Sequence, residues 1–388
     1  MKIIINMGNF KNKGAEAMIY STCQIVKNVF KNPEIVVVAS DRKRNKDFKV
    51  VDVQYFKGTI KLLVKSLIKS IPFLKRFVFD DVLQEFEESD MVINIGGFVL
   101  SDKMYLKTNI NYFLFFLLFK LLKKKHIIFP QDMGPFNSKF KGFLASLVVE
   151  FSDLVIVRSD VSKMHLEKLG IKKKIYVCPD IAFNFEPSPQ NKAKLILEEN
   201  CIKSGKFICI IPNRRIYEKN EKYIDFLSKF SDYIVSNFNV NIIYLPHEIR
   251  NGKCDDYTVI EEIFLRIIRT DKVFKLSDTY SSSEIKGIIG LAAMLISSRY
   301  HAVVAGISMR VPTIVVGWAH KYMELMKLVE MDEFVYDFEN IDDEAFTDKI
   351  NKLWINKDSI KKYLEKMLPK IEREAKYPGI LLKKYGNG

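Results

Sequence analysis

Cysteine is scarce and scattered along this chain. Cys23, Cys178, Cys201, Cys209 and Cys254 are odd in number, form no C-x-x-C pair and have no histidine at metal-ligand spacing. A disulfide framework and a cysteine-built zinc site are therefore not expected; reduced thiols in a cytosolic protein are. Long apolar runs are missing too. The most apolar stretch, 112–119, is followed by Lys120 and soon by Lys123, Lys124 and Lys125. It falls well short of the ~20 residues that a membrane span needs, so a buried helix is expected there. The opening Met1-Lys2-Ile3-Ile4-Ile5-Asn6 turns polar too early for a signal peptide and reads as a first strand. No solenoid period and no low-complexity tract occurs.

What is present is ordinary globular composition at a length of 388 residues, with 48% hydrophobic and 28% charged side chains. That exceeds the ~250–300 residues at which one core stops growing, so two domains are expected. Lys and Arg number 61 against 47 Asp and Glu, a formal net charge of +14. Such a surface attracts phosphates, acidic polymers or anionic lipid. Lysines also punctuate residues 61–76, which begin Lys61-Leu62-Leu63-Val64-Lys65. This basic amphipathic segment is either a solvated helix face or a membrane-surface contact.

Short Ile- and Val-rich runs alternate with stretches of helical period, the pattern of βαβ units and a parallel sheet. The strands expected are 2–6, 35–39, 91–95, 126–130, 154–158 and 175–177, with helices at 105–124, 138–151 and 159–169. Pro187-Ser188-Pro189 is the best linker signal, since proline disfavours both helix and central strand. Beyond it the pattern repeats, with strands at 207–212, 240–245, 273–276, 294–297 and 313–316. Both halves are read as doubly wound α/β. The expected division is an N-terminal domain at 1–186 and a C-terminal domain at 187–367, with a charged helical region from Asp342 to about Lys376 and a tail, about 368–388, that can pack back on the first.

Ligands of open parallel sheets bind beyond the strands' carboxyl ends, where the next helix offers N–H groups and a positive dipole end. Polar residues just past strands are therefore the candidates. The turn from Gly8 to Met18 holds Gly8, Asn9, Gly14 and Glu16 but is neither G-x-G-x-x-G nor a P-loop; it is a plain strand-to-helix turn or an acceptor or phosphate contact. Gly96-Gly97 leads to Asp102, a proton acceptor for a sugar hydroxyl or a helix N-cap. Gln131 and Asp132 end another strand and can equally serve loop backbone. Arg158 closes the strand at 154–157 before the capping pair Ser159-Asp160, where a guanidinium can grip carboxylate or phosphate. Ser297-Ser298-Arg299-Tyr300-His301 runs from a strand into an apolar helix, and His320-Lys321 follows the last strong strand. Arg158, Arg299, His301 and Lys321 thus all lie at or just past strand ends, which points to one shared anion.

In order and spacing these segments resemble the polysaccharide pyruvyl transferase family. The resemblance rests on the N-terminal turn, Gly96-Gly97 with Asp102, Gln131 with Gly134-Pro135, Val157-Arg158, Leu169-Gly170, Pro179-Asp180, Ser298-Arg299-Tyr300-His301, and Gly317 with Lys321. The Ser-Arg-x-His segment is its most specific part. It implies a GT-B-like fold, two Rossmann-like parallel-sheet domains facing across a cleft. It also implies transfer of pyruvate from phosphoenolpyruvate, as co-substrate and without other cofactor or metal, to two hydroxyls of a cell-envelope or capsular polysaccharide precursor. Donor-binding falls to Arg158, Arg299, Lys321 and His320; His301 is the general acid, and Asp102 or Glu16 the base. Gly8, Asn9, Gly14, Gly96, Gly97 and Gln131 line the acceptor side. The implied partner is a sugar or lipid-linked oligosaccharide and not nucleic acid, in the cytoplasm at the membrane's inner face; self-association stays open. Two alternatives compete. One is a GT-B glycosyltransferase with Arg299 and Lys321 on a nucleotide diphosphate and Glu284 on the ribose; the other is a non-catalytic basic module for anionic membrane or nucleic acid.

Overall fold

The structure is a computed structural model that describes residues 1–39, 46–53, 57–71, 73, 78–202, 206–250, 254–276, 279–317, 320–339 and 341–385. Residues 72 and 74–76 at the end of the basic segment, and Trp318 and Ala319 between Gly317 and Lys321, lie outside the described residues.

Two compact units divide the chain: Met1–Phe10, Met18–Ile181 and Glu374–Gly388 form the first, Lys11–Ala17 and Ala182–Arg373 the second. The heptapeptide Lys11–Ala17, which the sequence reading groups with the N-terminal domain, thus belongs to the second unit.

The first unit is built from β1 (Lys2–Gly8), most of α1 (Lys13–Val29), β2 (Glu34–Ala39), β3 (Lys49–Asp52), α2 (Lys57–Lys69), α3 (Asp81–Glu88) and β4 (Met91–Asn94). It continues with α4 (Leu106–Leu121), β5 (Lys125–Gln131), α5 (Lys139–Phe151), β6 (Leu154–Val157), α6 (Asp160–Glu167) and β7 (Tyr176–Val177). The second unit holds α7 (Gln190–Glu199), β8 (Phe207–Ile211), α8 (Arg214–Tyr217), α9 (Lys222–Phe238), β9 (Asn241–Tyr244), α10 (Asp256–Phe264) and β10 (Val273–Lys275). Then come α11 (Ser282–Ile289), β11 (Met294–Ser297), α12 (Tyr300–Ser308), β12 (Thr313–Gly317), α13 (His320–Leu328), β13 (Val335–Asp337) and α14 (Asp343–Glu374). The last helix, α15 (Tyr377–Lys383), is part of the first unit, where Gly379 lies against Ile25 and Val29.

Strand order is β3-β2-β1-β4-β5-β6-β7 in the first sheet and β10-β9-β8-β11-β12-β13 in the second. Every neighbouring pair is parallel. The order reverses between β1 and β4 in one sheet and between β8 and β11 in the other, and such switch points open a crevice at the carboxyl ends. Strands such as Ile3-Ile4-Ile5 are buried on both faces because helices cover both. On one face of the first sheet Ile4, Val36 and Val92 pack against Leu62, Phe86 and Phe119, and farther along Ile128 and Val155 pack against Tyr112 and Val148. In the second, Cys209, Ile243 and Leu295 pack against Ala193, Ile288 and Ala302.

Two strands escape the sequence reading, β3 and β13. Both are edge strands of four and three residues, too short for an apolar run to register. Ser138, read as a first helical residue, is an N-cap, and so is Ser159 of the expected capping pair; their hydroxyls accept from Lys141 N–H and Ser162 N–H. The buried helix expected near 112–119 is α4, but only part of it is buried: Phe113, Leu114 and Leu117 stay partly exposed. Among the described residues no helix is long and apolar enough to cross a membrane.

Candidate active site

At the switch point of the second sheet, β11 delivers Ser297, Ser298 and Arg299 into the start of α12, which places His301 in that helix's first turn. The strand end is locked from several sides. Ser298 O accepts from Asn213 Nδ2 at 2.8 Å and from the Tyr322 hydroxyl at 2.7 Å, and Ser298 Oγ shares a 2.7 Å hydrogen bond with the Tyr223 hydroxyl. His301 has a second support. A Cβ built on Gly14 would stand 2.2 Å from its Nδ1, so only glycine lets the start of α1 approach the imidazole so closely. Next along, the rings of Tyr300 and His301 meet edge-on with centroids 5.3 Å apart. Lys321 Nζ, in the first turn of α13 one residue after His320, lies 5.2 Å from the Tyr300 ring centroid and 5.4 Å from that of Tyr322. His301 and Lys321 thus both lie against one tyrosine, each at the N-terminal end of a helix where the dipole favours an anion.

Arg299 is not available for a ligand in the way the sequence reading expects. It is buried, its Nη1 is 2.7 Å from Glu248 Oε2, and its Nη2 bonds Asp256 Oδ1. Asp256 Oδ2 also accepts from His247 N–H at 3.2 Å and Glu248 N–H at 2.8 Å, while Oδ1 takes Arg214 N–H at 3.1 Å. The guanidinium therefore clamps the loops after β8, β9 and β11 together. Burial works to raise the Glu248 carboxyl, but Arg299 and Arg250 outweigh it and hold it down at about 2. Glu16 is likewise committed, fully buried, with Oε2 accepting from Ser282 N–H and Lys13 Nζ, both at 3.2 Å. Glu284, the ribose ligand of the glycosyltransferase alternative, closes the capping box of α11 with Ser281 and pairs with Lys192 at 2.7 Å.

Arg158 belongs to the first unit, His301 and Lys321 to the second. Its guanidinium is buried between two carboxylates: Nε lies 2.9 Å from Asp180 Oδ2 and Nη1 3.3 Å from Asp132 Oδ2, and Nε donates to Pro130 O at 3.0 Å. The carboxylate or phosphate clamp expected of Arg158 is filled by these protein groups. Asp102 is no helix cap; it accepts from Asn137 N–H and, at 3.0 Å, Ser138 N–H, tying two loops. Gln131 is buried, taking the Tyr112 hydroxyl at 3.3 Å and donating to Asn94 O at 3.4 Å. Gly8 packs against Ile19 and Val37, and Gly96 against Tyr112. Asn9 is half-buried in the turn after β1. Gly97 differs from these: its φ of +55° suits glycine, and nothing lies within 4 Å of where a Cβ would be.

Three residues at strand ends escape the sequence reading. His247, past β9, is buried, its carbonyl accepts from Lys13 N–H at 3.0 Å, and its Nδ1 has no hydrogen-bond partner among the described residues. Burial first, then the charges of Arg299, His301 and Lys13, push its pKa well below the usual imidazole value. Glu248 follows it. Arg215, past β8, pairs with no carboxylate among the described residues, and burial together with nearby Arg299 lowers its pKa. The strand-end signal used for Arg299 and His301 would have found all three, since Pro246-His247-Glu248 and Asn213-Arg214-Arg215 directly follow apolar strands.

Fold and strand-end chemistry define a GT-B-like α/β protein with two doubly wound parallel sheets. The same fold is found in UDP-GlcNAc 2-epimerase from Neisseria meningitidis bound to UDP-GlcNAc, at TM-score 0.65 and 13% identity over 99% of this chain and 100% of that one. A glycosyltransferase from Rickettsia africae is similar at TM-score 0.61 and 13% identity over 100% and 99% of the two chains. These likenesses concern the fold alone. The sequence pattern of the polysaccharide pyruvyl transferase family matches residues 12–320, and the chain belongs to that family. It is a transferase of polysaccharide biosynthesis, a pyruvyl transferase. The amylovoran biosynthesis protein AmsJ of Erwinia amylovora is 22% identical over 312 residues, 77% of this chain and 74% of that protein.

Proposed function

We propose that the pyruvyl donor is phosphoenolpyruvate, that the second unit holds it, and that the acceptor is a sugar, free or lipid-linked, of a cell-envelope polysaccharide precursor. The observation that carries this reading is that His301 and Lys321 both lie against the ring of Tyr300, at two helix N-termini. Lys321 neutralises the leaving phosphate, and Arg215 supplies a further cation at the neighbouring strand end. His301 is the general acid, because imidazole changes charge near neutral pH without a large shift.

In the reaction, the enol double bond takes a proton from His301 at its CH2 carbon and leaves an oxocarbenium-like C2. A sugar hydroxyl oxygen bonds C2 and gives up its proton. The C2–O bond to phosphate then breaks with both electrons on phosphate, and a second hydroxyl closes the cyclic ketal. Of the two hydroxyl protons, one restores His301 and the other leaves with phosphate. Glu16 and Asp102 are engaged by backbone N–H groups, so we assign to His320, beside Lys321, the second of these protons, which it takes from the hydroxyl and hands to the departing phosphate. On the first unit, the open turn at Gly97 is our candidate contact for the acceptor.

The nucleotide-sugar reading loses its ribose ligand, since Glu284 is spent on the α11 cap and Lys192. Mass spectrometry of lipid-linked sugars incubated with the enzyme and phosphoenolpyruvate tests the proposal. Gain of one pyruvyl unit with release of phosphate is expected; transfer of a hexose from a nucleotide sugar instead would overturn it.

A further inference from the structure

Three helices on one face of the first sheet turn apolar stripes outward. In α2, Ile60, Val64 and Leu67 follow one another at helical spacing, with Val64 48% and Leu67 53% exposed. In α5, Phe140, Phe143 and Phe151 do the same, Phe143 being 58% exposed. Between them α4, which packs against both, is apolar nearly all round, yet leaves Leu106 and Leu121 exposed and Phe113 and Leu117 only partly covered. A helix apolar on every side belongs in a core or against another apolar medium, and a contiguous exposed patch of this kind marks an interaction surface.

Charge selects the occupant. α2 carries Lys57, Lys61, Lys65 and Lys69, α4 Lys107 and Lys120, and α5 Lys139 and Lys141; against these eight lysines the three helices hold one carboxylate, Glu150. Lys65, Lys69 and Lys120 reach back to Asp80, Glu87 and Asp153, and Lys141 to the carbonyls of Asp102 and Met104, whereas Lys57, Lys61 and Lys139 are exposed. A second copy of the chain would set lysine against lysine. An anionic bilayer surface satisfies both features at once: the apolar side chains enter the headgroup boundary, and the lysine stems lie along it with their ammonium groups on lipid phosphates.

We propose that this three-helix face rests on an anionic membrane, with no helix crossing it. The inference stands apart from the donor chemistry and places the first unit where a lipid-linked acceptor would be met. Co-sedimentation of the full chain with vesicles of phosphatidylcholine alone, or with phosphatidylglycerol added, tests it. The chain should pellet with the anionic vesicles and come off at high salt. Lys57→Glu with Lys61→Glu should weaken that partition about tenfold or more, and so should Val64→Glu with Phe143→Glu. All four positions are exposed, so thermal melts and transfer to a water-soluble acceptor should match wild type, which keeps a failure of this proposal distinct from a failure of the pyruvyl transfer reading. Equal recovery in the supernatant with and without anionic vesicles would overturn it. So would a dimer in sedimentation equilibrium that the same substitutions break, which would make this face an interface between copies.

Discussion

A methyl group on Gly14 would stand 2.2 Å from Nδ1 of His301. The start of the first helix is thus shaped around the residue assigned as general acid, although 287 positions separate them in sequence (301 − 14). Gly14→Ala should push the ring aside and lower kcat by about 100-fold, the usual consequence of a displacement near 1 Å in a reacting group. Steady-state kinetics beside a thermal melt check this, and a kcat near wild type would mean the imidazole does not act from this seat.

Arg299 and Arg215 should separate cleanly. Arg299→Met leaves Asp256 buried without its cation and Glu248 with Arg250 alone, and should cost about 3–5 kcal/mol in urea unfolding. Arg215→Ala should leave the unfolding midpoint near wild type, because no carboxylate among the described residues depends on it, and should raise KM for the donor.

His247 should remain neutral wherever the enzyme works, since burial, Arg299, His301 and Lys13 all oppose its protonation. The limb on which kcat falls as pH rises through the imidazole range, that of the acid, should therefore persist in His247→Asn and vanish in His301→Asn. A limb lost with His247 instead would move the acid to that residue.

Acid should destabilise the first unit through His126. It is buried in β5 with Nδ1 2.8 Å from Ser152 Oγ, and burial pushes its pKa down to about 3, with Lys120 adding to the effect and Asp153 opposing it. Between that value and the ordinary 6.5 the unfolded chain holds a proton that the folded chain refuses. This contribution to stability is complete above 6.5 and is lost as pH falls toward 3, at up to about 1.4 kcal/mol per pH unit. Urea midpoints at pH 7, 5 and 4 should fall more steeply for wild type than for His126→Gln.

Much of this was legible in the sequence because a parallel sheet covered on both faces writes its strands as unbroken apolar runs such as Ile3-Ile4-Ile5. The edge strands β3 and β13 were not, since a half-covered strand of three or four residues needs no such run. Position past a strand end could be read for Arg158 and Arg299, but not what faces them. The carboxylates of Asp132, Asp180, Glu248 and Asp256 come from other strands and loops, and they turn both guanidinium groups from ligand grips into internal ties. Gly14 reads in the sequence as a turn glycine, while its partner at 301 emerges only in three dimensions. The basic stripe of α2 is plain in the sequence, whereas the stripe of α5 is tied to it only through α4, which packs against both.

The most direct test is calorimetric titration of the purified chain and its Lys321→Ala variant with phosphoenolpyruvate and with UDP- and GDP-sugars. The account predicts saturable binding of phosphoenolpyruvate to wild type, at least tenfold weaker in the variant, and none of the nucleotide sugars. Saturable binding of a nucleotide sugar alone, or phosphoenolpyruvate binding untouched by loss of the Lys321 ammonium, would contradict it.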